Sequence, residues 1–182
     1  MEIKKTEIEG LVIIEPKVFG DNRGWFTETY SKKLLDEATG GAVFVQDNHS
    51  MSAKKGTLRG LHYQCAPMAQ AKLVRCTNGA IIDVAVDVRR SSPTFMKWVA
   101  VELTAANFRQ LFLPKGFLHG FVTLCDNCEV QYKVDEYYSP ECDRSVRFDS
   151  PAFNIDWGVS APIISDKDKA APVFDPDKHA FD

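Results

Sequence analysis

Apolar and polar residues alternate with a period of two along most of this chain, which predicts strands with one inward and one outward face. Residues 11–19 (LVIIEPKVF) and 24–30 (GWFTETY) have this character and are joined by the turn-rich GDNRG. Residues 43–52 (VFVQDNHSMS) and 56–64 (GTLRGLHYQ) continue the pattern. AKLVRCT (71–77) and AIIDVAVDV (80–88) flank Asn78-Gly79, a strong hairpin signal. FMKWVAVEL (95–103), RQLFLPKGFLHGFVTLC (109–125) and EVQYKVDEYY (129–138) follow, the last two separated by a turn at Asp126-Asn127. One stretch, SKKLLDEA (31–38), has helical character, with Ser31 placed to cap it. From about residue 140 the chain is rich in Pro, Asp and Ser, which predicts an irregular segment wrapping the strands rather than a second domain. Residues 1–182 therefore read as one all-β domain, a sandwich or barrel.

Several polar residues break the alternation. In QDNHS, Gln46, Asn48 and Ser50 share one face while Asp47 and His49 share the other, and neither face is apolar. The stretch is either a ligand-contacting strand or a strand leaving the core. In TLRGLHYQ, strict alternation sends Arg59 and His62 to opposite faces. Gly60 between them relaxes this, because glycine inside a strand often marks a bulge that re-aims side chains. His119 and Tyr132 stand on apolar faces of two further strands, and AQAKLVR supplies Lys72 on a third. Burying such groups without partners costs several kcal/mol, so together they predict a lined cavity.

Composition narrows the choices only a little. Net charge is −3, which gives no bulk attraction to nucleic acid. No apolar run is long enough for a membrane span, and MEIKKTEIEG lacks the apolar core of a secretory signal. Five cysteines, an odd and scattered set, fit a reducing cytoplasm. The lone Cys-x-x-Cys at 125–128 has no second pair to complete four zinc ligands. Asp83 and Asp87 share a face and could form a carboxylate pair, but an outward or salt-bridged face is expected. A metal-dependent dioxygenase is disfavoured, because Gln64 stands where a second histidine would follow His62.

DNRGWFTETY, QDNHSMSAKKGTLRGLHYQ, AKLVRCTNGAIIDVAVDVRRSSPTF, NFRQLFLPKGFLHGF, YKVDEYYSPE and ISDKDKAAP, in this order over roughly residues 3–174, resemble the dTDP-4-dehydrorhamnose 3,5-epimerase family. The resemblance implies a cupin-like jelly-roll barrel with a few short helices. It implies conversion of dTDP-4-dehydro-6-deoxy-D-glucose to dTDP-4-dehydro-L-rhamnose, with no cofactor and no metal. By resemblance, His62 is the base, Asp168 its orienting carboxylate, Tyr132 the proton donor and Lys72 the charge stabiliser. Arg59, His119 and Lys167 resemble binding residues, and Gln46, Asp47 and Asn48 a contact loop. Tyr138 resembles the aromatic that stacks on thymine. Arg23 and Glu28 resemble residues that reach the nucleotide from a neighbouring subunit, which implies a homodimer. Asp143 stands where the family pattern has a glutamate, leaving a shorter acidic arm. Three alternatives stay open: an epimerase acting at C3 only, a ketoisomerase, and a non-catalytic nucleotide-sugar binding module.

Overall fold

A computed structural model describes residues 1–181. Two antiparallel sheets face one another in a cupin-like jelly roll. The first has six strands: β1 (Glu2–Lys5), β2 (Val12–Glu15), β5 (Gln46–Ser52), β7 (Lys72–Asn78), β10 (Gln110–Leu113) and β12 (Cys128–Val134), in the order β1-β2-β10-β7-β12-β5. The second has five: β6 (Leu58–Gln64), β8 (Ala80–Asp87), β9 (Trp98–Thr104), β11 (Phe117–Thr123) and β13 (Asp143–Ser145), in the order β13-β6-β11-β8-β9. β3 (Val18–Asp21) and β4 (Gly24–Thr27) form a separate hairpin. Among the described residues, helices are limited to α1 (Lys32–Leu35), α2 (Asp166–Lys169) and α3 (Pro176–His179).

The expected strand at 11–19 is two strands, because Pro16 cannot donate to a ladder and the chain passes there from the six-stranded sheet to the β3–β4 hairpin. The expected helix at 31–38 shrinks to one turn; Ser31 occupies the cap position but its side chain makes no capping hydrogen bond. Strand β1, exposed throughout and apolar only at Ile3, carries no alternation to read and is held by pairing with β2.

Three apolar layers follow from the alternation. Between the sheets, Val74, Leu111, Leu113 and Val130 meet Ile81, Leu103, Phe117 and Phe121. The outer face of the six-stranded sheet, with Ile14, Leu73 and Phe112, is covered by Leu35, Tyr30 and Phe44. The outer face of the five-stranded sheet, with Leu58, Leu61, Val84, Val86 and Leu118, lies under Val146, Phe153, Trp157 and Phe174. The irregular segment after residue 145 thus supplies the apolar cover that the sheet's second face requires. Phe181 extends the cover: its backbone bonds to Val88 and Arg90, and its ring meets Tyr63 edge-on at 5.7 Å.

One irregularity positions the site. β6 pairs with β11 through His62↔His119 and Arg59↔Phe121, so three residues of β6 span two of β11. Directly opposed residues share a face. Arg59 and His62 therefore point the same way, as His119 and Phe121 do. The extra residue sits by Gly60, whose φ is +131° and where a Cβ would lie 2.6 Å from Gly120 Cα. Gly60→Ala is expected to lose about 3 kcal/mol of stability, from the strained φ and the backbone clash. Urea unfolding checks this, and an unchanged midpoint would contradict the close approach.

Candidate active site

A cavity of about 520 Å³ opens between the sheets and is lined by Arg59, His62, Lys72, His119, Tyr132, Lys167 and Asp168, with Leu58, Phe121 and Ile164 among its apolar walls. β6 and β11 of one sheet bring His62, Arg59 and His119; β7 and β12 of the other bring Lys72 and Tyr132. Lys72 shares its strand face with buried Val74 and Cys76, and Tyr132 shares its own with buried Val130 and Val134. Short helix α2, capped by the Ser165 hydroxyl accepting from Asp168 N–H, carries Lys167 and Asp168 to the rim.

His62 Nε2 lies 2.6 Å from Asp168 Oδ1. A carboxylate only accepts, so Nε2 carries the hydrogen and Nδ1 is left as the basic nitrogen. Asp168 is 3% exposed, and its other oxygen accepts from Gly60 N–H at 3.4 Å. Burial pushes its carboxyl up, but His62, Gly60 and Ser165 together outweigh burial and hold it below the usual range.

A second histidine–carboxylate pair stands beside the first. His119 Nε2 is 2.7 Å from Asp83 Oδ1, and Asp83 is fully buried. Its other oxygen has no hydrogen-bond partner among the described residues. Burial raises the Asp83 carboxyl more than His119 lowers it. The expectation of an outward face for Asp83 and Asp87 is corrected: both are at 0% exposure, because β8 is an interior strand of a sheet covered on both faces. The salt-bridged alternative holds, with Asp87 accepting from Arg89, Ser92 and Thr94. Asp83 supports the cavity through His119, a role that its expected pairing with Asp87 on one face did not indicate. The signal for it was a carboxylate flanked by apolar residues on β8.

Lys72 Nζ is 5.8 Å from the Tyr132 ring centroid and donates to Gln70 Oε1 at 3.1 Å. Burial pushes its ammonium down to about 8, against a smaller pull upward from Asp143 and Asp135. Burial likewise raises Tyr132, with Arg59 opposing, so its phenol keeps its proton at neutral pH. Arg59 spans the gap between sheets, donating to Ser52 Oγ and the Met51 carbonyl of β5, both at 3.1 Å.

The remaining residues named from the sequence fall into three places. Tyr138, Asp143 and Lys167 cluster together: Lys167 Nζ is 2.5 Å and Tyr138 Oη 3.5 Å from Asp143 Oδ2. Gln46 accepts from Tyr138 N–H and donates to Asn48, which pairs across the ladder with Tyr132. Asp47 points to the opposite face and pairs with Lys133. Arg23 and Glu28 lie on or just after the β3–β4 hairpin, exposed and outside this chain's own cavity lining, with Arg23 paired to Asp21. Among the described residues, no group of three or more His, Cys, Asp or Glu is arranged to hold a metal ion. No helix among them is long and apolar enough to cross a membrane.

The sequence model of the dTDP-4-dehydrorhamnose 3,5-epimerase family matches residues 5–176. The chain belongs to this family. The dTDP-4-dehydrorhamnose 3,5-epimerase of Shigella flexneri is 54% identical over 169 residues, 92% of this chain and 93% of that one. The crystal structure of the Bacillus anthracis str. Ames epimerase, with TDP and PPi bound, superposes with a TM-score of 0.92 at 48% identity, covering 95% of this chain and 99% of the other. The epimerase of Legionella pneumophila Philadelphia 1, in complex with dTDP-4-keto-L-rhamnose, gives 0.90 at 46%, covering 94% and 92%. The chain is accordingly an isomerase-class enzyme of nucleotide-linked sugars.

The electrostatics of this epimerase's cavity can be measured directly. With lysines carrying isotopically labelled methyl groups, one NMR resonance, absent from Lys72→Met, should titrate at about 8 rather than the ordinary ~10.4. Asp143→Asn should move it lower, since that carboxylate favours the charged ammonium. A Lys72 resonance titrating with the surface lysines would contradict the burial.

Proposed function

We propose that the cavity performs the family's reaction, conversion of dTDP-4-dehydro-6-deoxy-D-glucose to dTDP-4-dehydro-L-rhamnose, with His62 as base and Tyr132 as acid. The observation that carries this reading is their placement on opposite sheets, facing one cavity. Protons at C3 and C5 of a 4-keto sugar are acidic because the carbonyl accepts the charge that remains. Inverting a centre removes a proton from one face of the ring and returns one to the other, which calls for two groups on opposite sides.

His62 Nδ1 takes the proton. Asp168, already ionised, steadies the imidazolium and fixes its tautomer. Tyr132, held protonated by burial, delivers the new proton from the far side. The charge that builds on O4 faces the Lys72 ammonium, a stabilisation worth a few kcal/mol where water is excluded. Arg59, His119 and Lys167 hold the diphosphate, with Asp83 fixing the His119 ring. Tyr138, Gln46, Asn48 and Asp143 form the nucleotide end, to which Asp47 contributes only through the strand it shares with Gln46 and Asn48.

Arg23 and Glu28 complete a partner's cavity in this reading, so the working unit is a homodimer. The hairpin that carries Arg23 exposes Phe19 (53%), Trp25 (64%) and Phe26 (69%), an apolar surface suited to burial against a second copy. The whole chain acts as one domain, and its setting is the cytoplasm, which an odd, scattered set of five cysteines fits better than it fits a disulfide framework.

Two measurements test this reading. Wild-type enzyme and substrate in D2O should exchange protons at C3 and C5. His62→Asn should lose exchange and inversion together by about two to four orders of magnitude. Tyr132→Phe should lose inversion more than exchange, because the base remains. Near wild-type exchange in His62→Asn would remove the role given to His62. Light scattering should return about twice the 20.4 kDa of one chain, and a monomer mass would count against the shared site.

A further inference from the structure

The Cys-x-x-Cys at the β11–β12 turn takes no part in the cavity, yet its two sulfurs are in contact. Cys125 Sγ and Cys128 Sγ lie 3.2 Å apart. Both rest on one bare Cα: a Cβ on Gly79 would sit 2.6 Å from Cys125 Sγ and 2.7 Å from Cys128 Sγ. Gly79, at φ +81°, thus seats the two thiols side by side. The turn is held on both flanks. Asn78 Nδ2 donates to the Asn127 carbonyl at 2.7 Å, and Asp126 accepts from Lys55 N–H at 2.8 Å. Asn127 at φ +55° closes the reversal that brings residues 125 and 128 together.

We propose that Cys125 and Cys128 form a reversible dithiol–disulfide site that reacts with small-molecule disulfides and leaves the cavity intact. The two cysteines differ in access, which sets the order of events. Cys125 is partly exposed beside exposed Asp126 and Asn127, whereas Cys128 is 1% exposed at the head of β12. The Cys125 thiolate attacks one sulfur of oxidised glutathione. The glutathione S–S bond breaks, one glutathione thiolate leaves, and a mixed disulfide forms on Cys125. Cys128 gives up its proton to solvent, attacks the Cys125 sulfur and expels the second glutathione thiolate. Two protein thiols are oxidised, one disulfide is reduced to two thiols, and the protons released are taken up by the leaving thiolates.

The first step is slow, because the contact with Cys128 holds the Cys125 thiol above its ordinary value. The second is intramolecular, and the sulfurs need only close from 3.2 Å to a bond length of about 2.05 Å. The turn is already closed in the reduced chain, so the cross-link removes little chain entropy and displaces β12 little.

Incubation of the full-length protein with oxidised glutathione, an acid quench, alkylation and peptide mass spectrometry test this. Of the five cysteines, Cys65, Cys76 and Cys142 should remain alkylatable, and one peptide should contain a 125–128 disulfide that dithiothreitol reverses. In Cys128→Ser, oxidation should stop at glutathione bound to Cys125. Epimerase turnover of the oxidised wild-type protein should stay within about a factor of two of the reduced protein, as a local cross-link in a closed turn requires. A wild-type protein that retains glutathione on Cys125, or that pairs Cys125 with another cysteine, would overturn the proposal. So would a tenfold loss of turnover when the 125–128 bond forms.

Discussion

β6 and β11 touch backbone to backbone at Gly60 and Gly120, and much of the site depends on that contact. A Cβ on Gly120 would meet the Arg59 carbonyl at 2.9 Å, just as a Cβ on Gly60 would meet Gly120. With neither present, the strands close up and one extra residue of β6 is absorbed. That residue turns two side chains of opposite parity toward one cavity. The same contact docks the C-terminal wrap: Gly60 N–H donates to Asp168, and the Trp157 ring would lie 3.2 Å from a Cβ on Gly120. Strand pairing, side-chain aim and delivery of Asp168 are thus consequences of a single close approach.

The cavity then gathers cations into a molecule whose net charge is −3. Arg59, Lys72 and Lys167 converge there with two histidines, an arrangement suited to an anionic ligand. The two histidine–carboxylate pairs sit opposite one another in the ladder but in different electrostatic settings. Hydrogen bonds and the His62 charge keep Asp168 below the usual carboxylate range, while burial pushes Asp83 above it. Two pairs of like composition are thereby set apart by environment, the condition under which neighbouring groups take different proton-handling roles. Asp87, on the same strand, is satisfied by Arg89, Ser92 and Thr94 and anchors the end of β8 instead.

Most strands and the Asn78-Gly79 hairpin were legible, because a period of two and turn residues are local properties of the chain. So were the inward positions of His119 and Tyr132, each set by apolar neighbours two residues away. The family motifs named Asp168 as the partner of His62 although 106 positions separate them. Periodicity alone could not have done so, since α2 is too short to carry a pattern. Asp83 was expected on an outward or salt-bridged face because alternation places a carboxylate on a face without saying which face is covered. By itself, the sequence determined which residues alternate, where the chain turns and which chemistry is available. Tertiary structure decided that Arg59 and His62 share a face, that His119 rests on Asp83, and that Arg23 and Glu28 lie away from their own cavity. Register shifts, sheet order and burial arise from contacts between distant segments, and no local period encodes them.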